Sequence, residues 1–92
     1  MNKTLIKKLY YRGIVLDNSN MLKERYDELK KILEALPFVE KVTSGFGTRY
    51  ANEKESKNWF DVWIKDKPDN EQDYIIRVLR SFTEFYWEEY HY

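Results

Sequence analysis

The chain has 92 residues and no cysteine, which excludes a disulfide scaffold, a zinc–thiolate site and a cysteine nucleophile. Apolar residues make up 42% and aromatic residues 17% of the chain, so it is too apolar to be disordered and supports one small core. Its 16 basic and 16 acidic side chains give a net charge of zero, so no overall field attracts nucleic acid or a membrane. Without an apolar run of about 18 residues or a signal-peptide pattern, we expect a cytoplasmic protein with a single domain over residues 1–92.

The first residues are compatible with two structures. Leu5, Ile6, Leu9 and Tyr10 have the spacing of a short helix that Gly13 would end, whereas the segment YYRGIVL is rich in residues that favour strands. We therefore expect a short helix or arm over residues 1–12, followed by a strand over residues 14–16.

The clearest element is a helix that follows the capping residues at positions 17–20. Charged side chains lie between its apolar positions, and Pro37 ends it because the residue before a proline resists helical geometry. Apolar residues recur in steps of three and four, which is typical of one buried helix face: Leu22, Tyr26, Leu29, Ile32, Leu33 and Leu36.

Two strands and a second helix are predicted for the remainder. Residues 38–50 and 58–66 alternate in polarity and are joined by the polar segment 51–57, so they form an antiparallel hairpin. A turn at residues 67–70 then caps a helix over residues 70–90.

The predicted order of elements is (α)βαββα, that of a two-layer α+β sandwich. Two long helices would cover one face of a small, mostly antiparallel sheet. In order of elements alone, the chain resembles a ferredoxin-like arrangement that lacks its last strand.

The second hairpin strand places two tryptophans on one side. Phe60, Val62 and Ile64 form a core set, so Trp59 and Trp63 face the opposite way, next to Gly45 and Gly47 of the partner strand. Three interpretations remain open. The N-terminal arm or a second subunit covers the indoles, a protein partner binds them, or single-stranded nucleic-acid bases stack on them.

Catalytic, metal-binding and cofactor-binding residues are not expected. His91 is the single histidine, and Glu88-x-x-His91 occurs once, whereas di-metal bundles need this spacing twice together with further carboxylates. The chain also lacks a phosphate-binding or dinucleotide-binding loop. The sequence therefore predicts a non-enzymatic protein without a metal or cofactor.

Six of the last eleven residues are aromatic, and this density predicts a contact surface. Residues 67–92 hold six acidic and three basic side chains, so a basic protein partner would suit them, and a homodimer through the C-terminal helix would bury the same rings. The leading hypothesis is a phage or mobile-element accessory protein that inhibits a host nuclease or polymerase by occlusion. The alternative is a single-stranded nucleic-acid-binding domain that stacks bases on Trp59 and Trp63. The predicted partner-binding residues are Trp59, Trp63, Tyr74, Arg77, Phe85, Tyr86, Trp87, Glu88 and Tyr90.

Overall fold

A computed structural model describes residues 9–17, 21–48, 51–65 and 72–91. These residues form a small α+β fold with a four-stranded antiparallel sheet and two helices. In chain order the elements are β1 (Leu9–Val15), α1 (Lys23–Glu34), β2 (Val39–Gly47), β3 (Lys57–Ile64), α2 (Gln72–Arg80) and β4 (Phe85–His91).

The strands lie in the order β2-β3-β1-β4, so β1 pairs with both β3 and β4. The order of elements is βαββαβ, which is the ferredoxin-like arrangement complete with its last strand. The predicted order (α)βαββα is therefore wrong at its C-terminal end, where β4 follows α2, and the second helix has 9 residues instead of being long.

The predicted helix over residues 70–90 is a helix only to Arg80. Backbone N–H groups of Ser81 and Phe82 donate to the carbonyl oxygens three residues earlier, which closes the last turn. Residues 85–91 then form β4, because Phe, Tyr and Trp pack well on a pleated sheet and alternate here between its two faces. The predicted caps at residues 69 and 70 lie outside the described residues.

The first strand replaces the last residues of the expected N-terminal helix or arm. Residues 9–12 belong to β1, and residues 1–8 of the predicted helix or arm lie outside the described part of the chain. Gly13 does not end a helix. It lies under the indole of Trp87, since a Cβ atom at this position would be 2.7 Å from ring carbons of Trp87.

The first long helix and the antiparallel hairpin are confirmed, with shifted ends. Leu22 occupies the N-cap of α1, and its side chain makes no capping hydrogen bond. The prediction that a polar residue caps this helix is therefore wrong. Residues 18–20 of the predicted cap lie outside the described residues. Leu22 and Ile32 are exposed, so the fully buried residues of α1 are Leu29 and Leu33, in its C-terminal half.

One core lies between the helices and a single face of the sheet. Leu29 and Leu33 of α1 and Ile75 and Leu79 of α2 are fully buried in it. No helix among the described residues combines the length and apolarity needed to cross a bilayer. The strands add Leu9, Tyr11, Val15, Val39, Val42, Phe60, Val62, Ile64, Phe85 and Trp87 to this core.

Candidate functional site

The sheet face opposite the core carries the candidate site, which we call the aromatic face. Its side chains alternate with core residues along each strand, so the strand registers place them in rows that cross the sheet. The aromatic face consists of Tyr10, Arg12, Ile14, Lys41, Thr43, Gly45, Trp59, Asp61, Trp63, Tyr86, Glu88 and Tyr90.

The first row is a stack that crosses all four strands. Tyr10 is opposite both Trp63 and Tyr90, and its ring centroid lies 4.4 Å and 5.2 Å from theirs, with both pairs stacked. Lys41 Nζ lies 5.0 Å from the centroid of the Trp63 ring. The Trp63 indole N–H donates to Thr43 Oγ1 at 3.1 Å, which fixes the ring in its plane.

The second row contains an ion pair at the centre of the face. Arg12 Nε and Nη2 donate to the two carboxylate oxygens of Asp61 at 2.8 Å and 3.0 Å. The side chains are only 23% and 13% exposed, and the hydrogen bonds to Asp61 raise the pKa of Arg12 above its ordinary value. The guanidinium carbon also lies 4.6 Å from the Trp59 ring centroid and 5.5 Å from that of Tyr90. Arg12 therefore holds the two rows of rings together.

The third row holds Trp59 against the backbone of β2. A Cβ atom on Gly45 would be 2.5 Å from Cε2 and Nε1 of Trp59, so the indole lies directly over the glycine. On the other side of Trp59 in the register, Ile14 is only 3% exposed although it does not belong to the core under the helices. Tyr86 ends the row and is 51% exposed. The face thus combines buried support with accessible rings.

The acidic groups near the end of the chain make contacts within the protein. Glu88 Oε1 accepts a hydrogen bond from the Tyr90 hydroxyl at 2.8 Å, and burial is the main cause that raises the pKa of Tyr90. Arg25 bonds Glu84 and holds the pKa of that carboxyl below its usual value. His91 Nε2 lies 2.6 Å from Glu89 Oε2. These contacts weaken the case for an acidic surface that recruits a basic partner.

The structure divides the predicted partner-binding residues into three groups. Tyr74 and Arg77 are exposed on α2, in the helix layer. Phe85 and Trp87 lie in the core and are only 5% and 8% exposed, so their predicted position on the surface is wrong. They are buried because residues 85–91 form a strand that has one face under the helices. The five that share the aromatic face are Trp59, Trp63, Tyr86, Glu88 and Tyr90.

Tyr10, Arg12 and Lys41 complete the aromatic face and are absent from the predicted set. Tyr10 and Arg12 alternate with the buried Leu9 and Tyr11, and this period of two is the signal in the sequence that could have identified them. Alternation from Val42 already predicts Lys41 on the face of the two tryptophans, and the structure has it there, opposite Trp63. The pairing itself was not predictable, because it depends on the β2–β3 register, which is irregular between Val39 and Lys41.

A small cavity of about 200 Å³ lies at the start of α1, lined by Met21, Lys23, Tyr26 and Asn58. The Tyr26 hydroxyl donates to the Trp59 carbonyl oxygen at 3.3 Å, and burial raises the pKa of Tyr26. This lining has no nucleophile paired with a base. Nor do the described residues contain a group of three or more His, Asp or Glu side chains that would hold a metal ion.

Comparisons with protein-family models, curated proteins and solved structures found no match to the chain.

Proposed function

We propose that the chain is a non-enzymatic interaction protein that binds a protein partner through the aromatic face. The observation that carries the proposal is the stack of Lys41, Trp63, Tyr10 and Tyr90, which spans the sheet on the side away from the core. Tyrosine, tryptophan and arginine contribute most of the binding energy at protein interfaces when a partner buries them. Rings that already pack against one another lose little conformational entropy on binding.

The charged groups of the face also favour a protein partner. Arg12 and Asp61 neutralise each other at the centre, which leaves a mixed aromatic and polar surface of the composition that protein interfaces have. The bidentate geometry of the pair resists rearrangement, so a partner meets a preformed surface.

Binding of single-stranded nucleic acid is the second candidate. It is favoured by the position of Tyr10, Trp59 and Trp63 on the two central strands of a four-stranded sheet, which is where some RNA-binding domains stack bases. Base stacking needs an accessible ring face. Here the Trp63 ring has contacts with Tyr10 and Lys41, and the Trp59 ring has contacts with Gly45 and Arg12. A protein that reaches the ring edges fits this arrangement better.

Inhibition of a nuclease or polymerase by occlusion and the role in a phage or mobile element both stay predictions. A homodimer through a C-terminal helix was predicted from the sequence, but residues 85–91 form the strand β4 instead of that helix. A homodimer would therefore have to form through a different surface. Tyr86 and Tyr90 would contribute to a homodimer through the aromatic face. Light scattering coupled to size exclusion measures whether the chain associates with itself.

Selection from a displayed library of random peptides tests the proposal. Wild-type protein is the bait, and each selected peptide is titrated against two variants. Tyr10→Ser/Tyr90→Ser removes two rings of the stack, whereas Tyr74→Ser removes an exposed ring from α2 as the matched control. Circular dichroism verifies that both variants are folded.

We expect the selected peptides to lose affinity for the double variant by about tenfold or more and to keep it for Tyr74→Ser. Peptides that depend on Tyr74 and are indifferent to Tyr10 and Tyr90 would place binding in the helix layer and contradict the proposal. Tight, salt-dependent binding of an oligonucleotide that is lost in Trp63→Ala would favour the second candidate.

A further inference from the structure

Positive charge is concentrated on the β2–β3 half of the aromatic face. Lys41 is opposite Trp63, and Lys57 is opposite Gly47 and two residues from Trp59 on the same side of β3. Lys65 directly follows β3, where alternation places it on the side of Trp63. These three residues form what we call the lysine border. No ion pair joins any of them to a carboxylate among the residues that the structure describes.

The centre of the face leaves this charge uncompensated. Asp61 is the acidic residue of β3 on this side, and both of its oxygens are bonded to Arg12. Glu88, on the far strand β4, accepts a hydrogen bond from Tyr90. The face is therefore positive along β2 and β3 and negative at β4.

Two further donors lie between the lysines and the centre. The Trp59 indole N–H and the Tyr10 hydroxyl have no acceptor within the described part of the chain. Trp59 Nε1 lies over the backbone of Gly45, so its N–H is on the β2 side of β3. A partner that covers the face has to supply acceptors here, because a donor that is buried without an acceptor loses its hydrogen bond to water.

We infer that the partner segment that binds the aromatic face is acidic and extended, with carboxylates that contact the lysine border on either side of Trp59 and Trp63. This inference rests on the proposed function and names the chemistry of the partner at the same surface. Lys57 and Lys65 are eight positions apart in sequence, which corresponds to about 27 Å along a strand, so an extended segment of about eight residues spans them. This partner is acidic, whereas the acidic C-terminal segment of the sequence predicted a basic one.

An acidic protein segment fits the face better than a nucleic acid does. A carboxylate needs only lysines and donors at the edges of the rings, and these are present. A single-stranded nucleic acid would gain its phosphate contacts at the lysine border but lose much of its base stacking, because the two indoles have partners on their faces.

Nuclear magnetic resonance of the indole N–H groups tests the inference on the intact protein. The probes are two synthetic peptides of equal length with the same apolar residues, one rich in glutamate and one rich in lysine, and an oligothymidine of about eight nucleotides. The chain has three tryptophans, and Trp87, which is buried in the core, is an internal control for Trp59 and Trp63.

Charge reversal identifies the lysines involved. Lys41→Glu/Lys57→Glu changes the lysine border, and Lys30→Glu/Lys31→Glu makes the same change in net charge on α1. We expect the glutamate-rich peptide to shift the Trp59 and Trp63 signals and leave the Trp87 signal in place. We expect the first variant to weaken its binding about tenfold and the second to leave it unchanged, with affinity falling as salt rises.

Four results would overturn the inference. If the lysine-rich peptide shifts the two indole signals as strongly, or if the peptides selected in the preceding experiment bind the aromatic face without acidic residues, the acidic partner is wrong and the proposed function stands. If neither peptide shifts either signal at millimolar concentration, the acidic partner is wrong whatever the library selects. If only the oligothymidine binds, with loss in Lys41→Glu/Lys57→Glu, the partner is a nucleic acid, and the proposed function fails as well.

Discussion

The indole of Trp59 lies on the backbone of Gly45, closer than any side chain at that position would allow. The ideal Cβ of an alanine would be 2.5 Å from Cε2 and Nε1 of the ring, and these are atoms of a rigid group. The glycine in β2 and the tryptophan in β3 are thus one structural unit, and the position of the Trp59 indole N–H depends on it.

Gly45→Ala is expected to displace Trp59 and to lower the free energy of unfolding by about 1–3 kcal/mol, because an extra methyl group has no room under the ring. Tryptophan emission should shift to longer wavelength as the indole moves into water. Thr48→Ala, at an exposed position directly after β2, is the control and should change neither quantity. Unchanged emission in Gly45→Ala would show that Trp59 does not lie on this glycine.

Gly13→Ala tests the position of β4. A methyl group at residue 13 would be 2.7 Å from the Trp87 ring, so urea denaturation should show a loss of about 1–3 kcal/mol. Trp87→Phe introduces a smaller ring, and the double variant should lose less stability than the sum of the single changes. Strict additivity would mean that the two residues are not in contact.

The ion pair of Arg12 and Asp61 should matter more for stability than an exposed pair does. Asp61→Asn leaves a partly buried guanidinium without its counter-charge, and we expect a loss of about 1–3 kcal/mol in chemical denaturation. Arg12→Met should cost a similar amount. The double variant Arg12→Met/Asp61→Asn should lose less stability than the sum of the two single losses, because it leaves no buried charge without a partner.

Lys23 and Asp27 provide the comparison on α1. Both side chains are largely exposed, so Lys23→Met is expected to leave the denaturation midpoint nearly unchanged. Equal effects of Lys23→Met and Arg12→Met would show that the central pair is solvated like a surface pair.

The contact of Arg25 with Glu84 predicts a dependence of stability on pH. Because this contact lowers the pKa of Glu84 in the folded protein, its stabilising effect is present above the unfolded value of 4.5 and is lost as the pH falls through the folded pKa. Glu84→Gln should therefore unfold more easily than the wild type near neutral pH, and the difference should shrink below about pH 4. A difference that stays constant into the acid range would exclude this carboxyl as its source.

Much of the fold follows from local patterns in the sequence. The helix α1 has a repeated apolar face, and β3 alternates strictly, so both were predictable from period alone. The same alternation placed Trp59 and Trp63 on one face opposite the core residues, as the structure has them.

The segment at residues 85–91 could not be assigned in the same way. Its aromatic residues satisfy a helical spacing and an alternating one at once, and the choice depends on β1, which accepts Phe85 and Trp87 beside it. Pairing between residues so far apart in the chain leaves no local signal. The stack of Tyr10 with Trp63 and Tyr90 could not be predicted for the same reason, because it forms only when β1 lies between β3 and β4.

That β1 lies between β3 and β4 has a consequence for synthesis in the cell. β1 is made before the other described strands, and its second side is not paired until residues 85–91 follow; until then the ring of Phe60 lacks its neighbour Phe85. A nascent chain stalled before this point would expose a bare strand edge to other chains. Folding of this protein should therefore finish only after translation has passed β4.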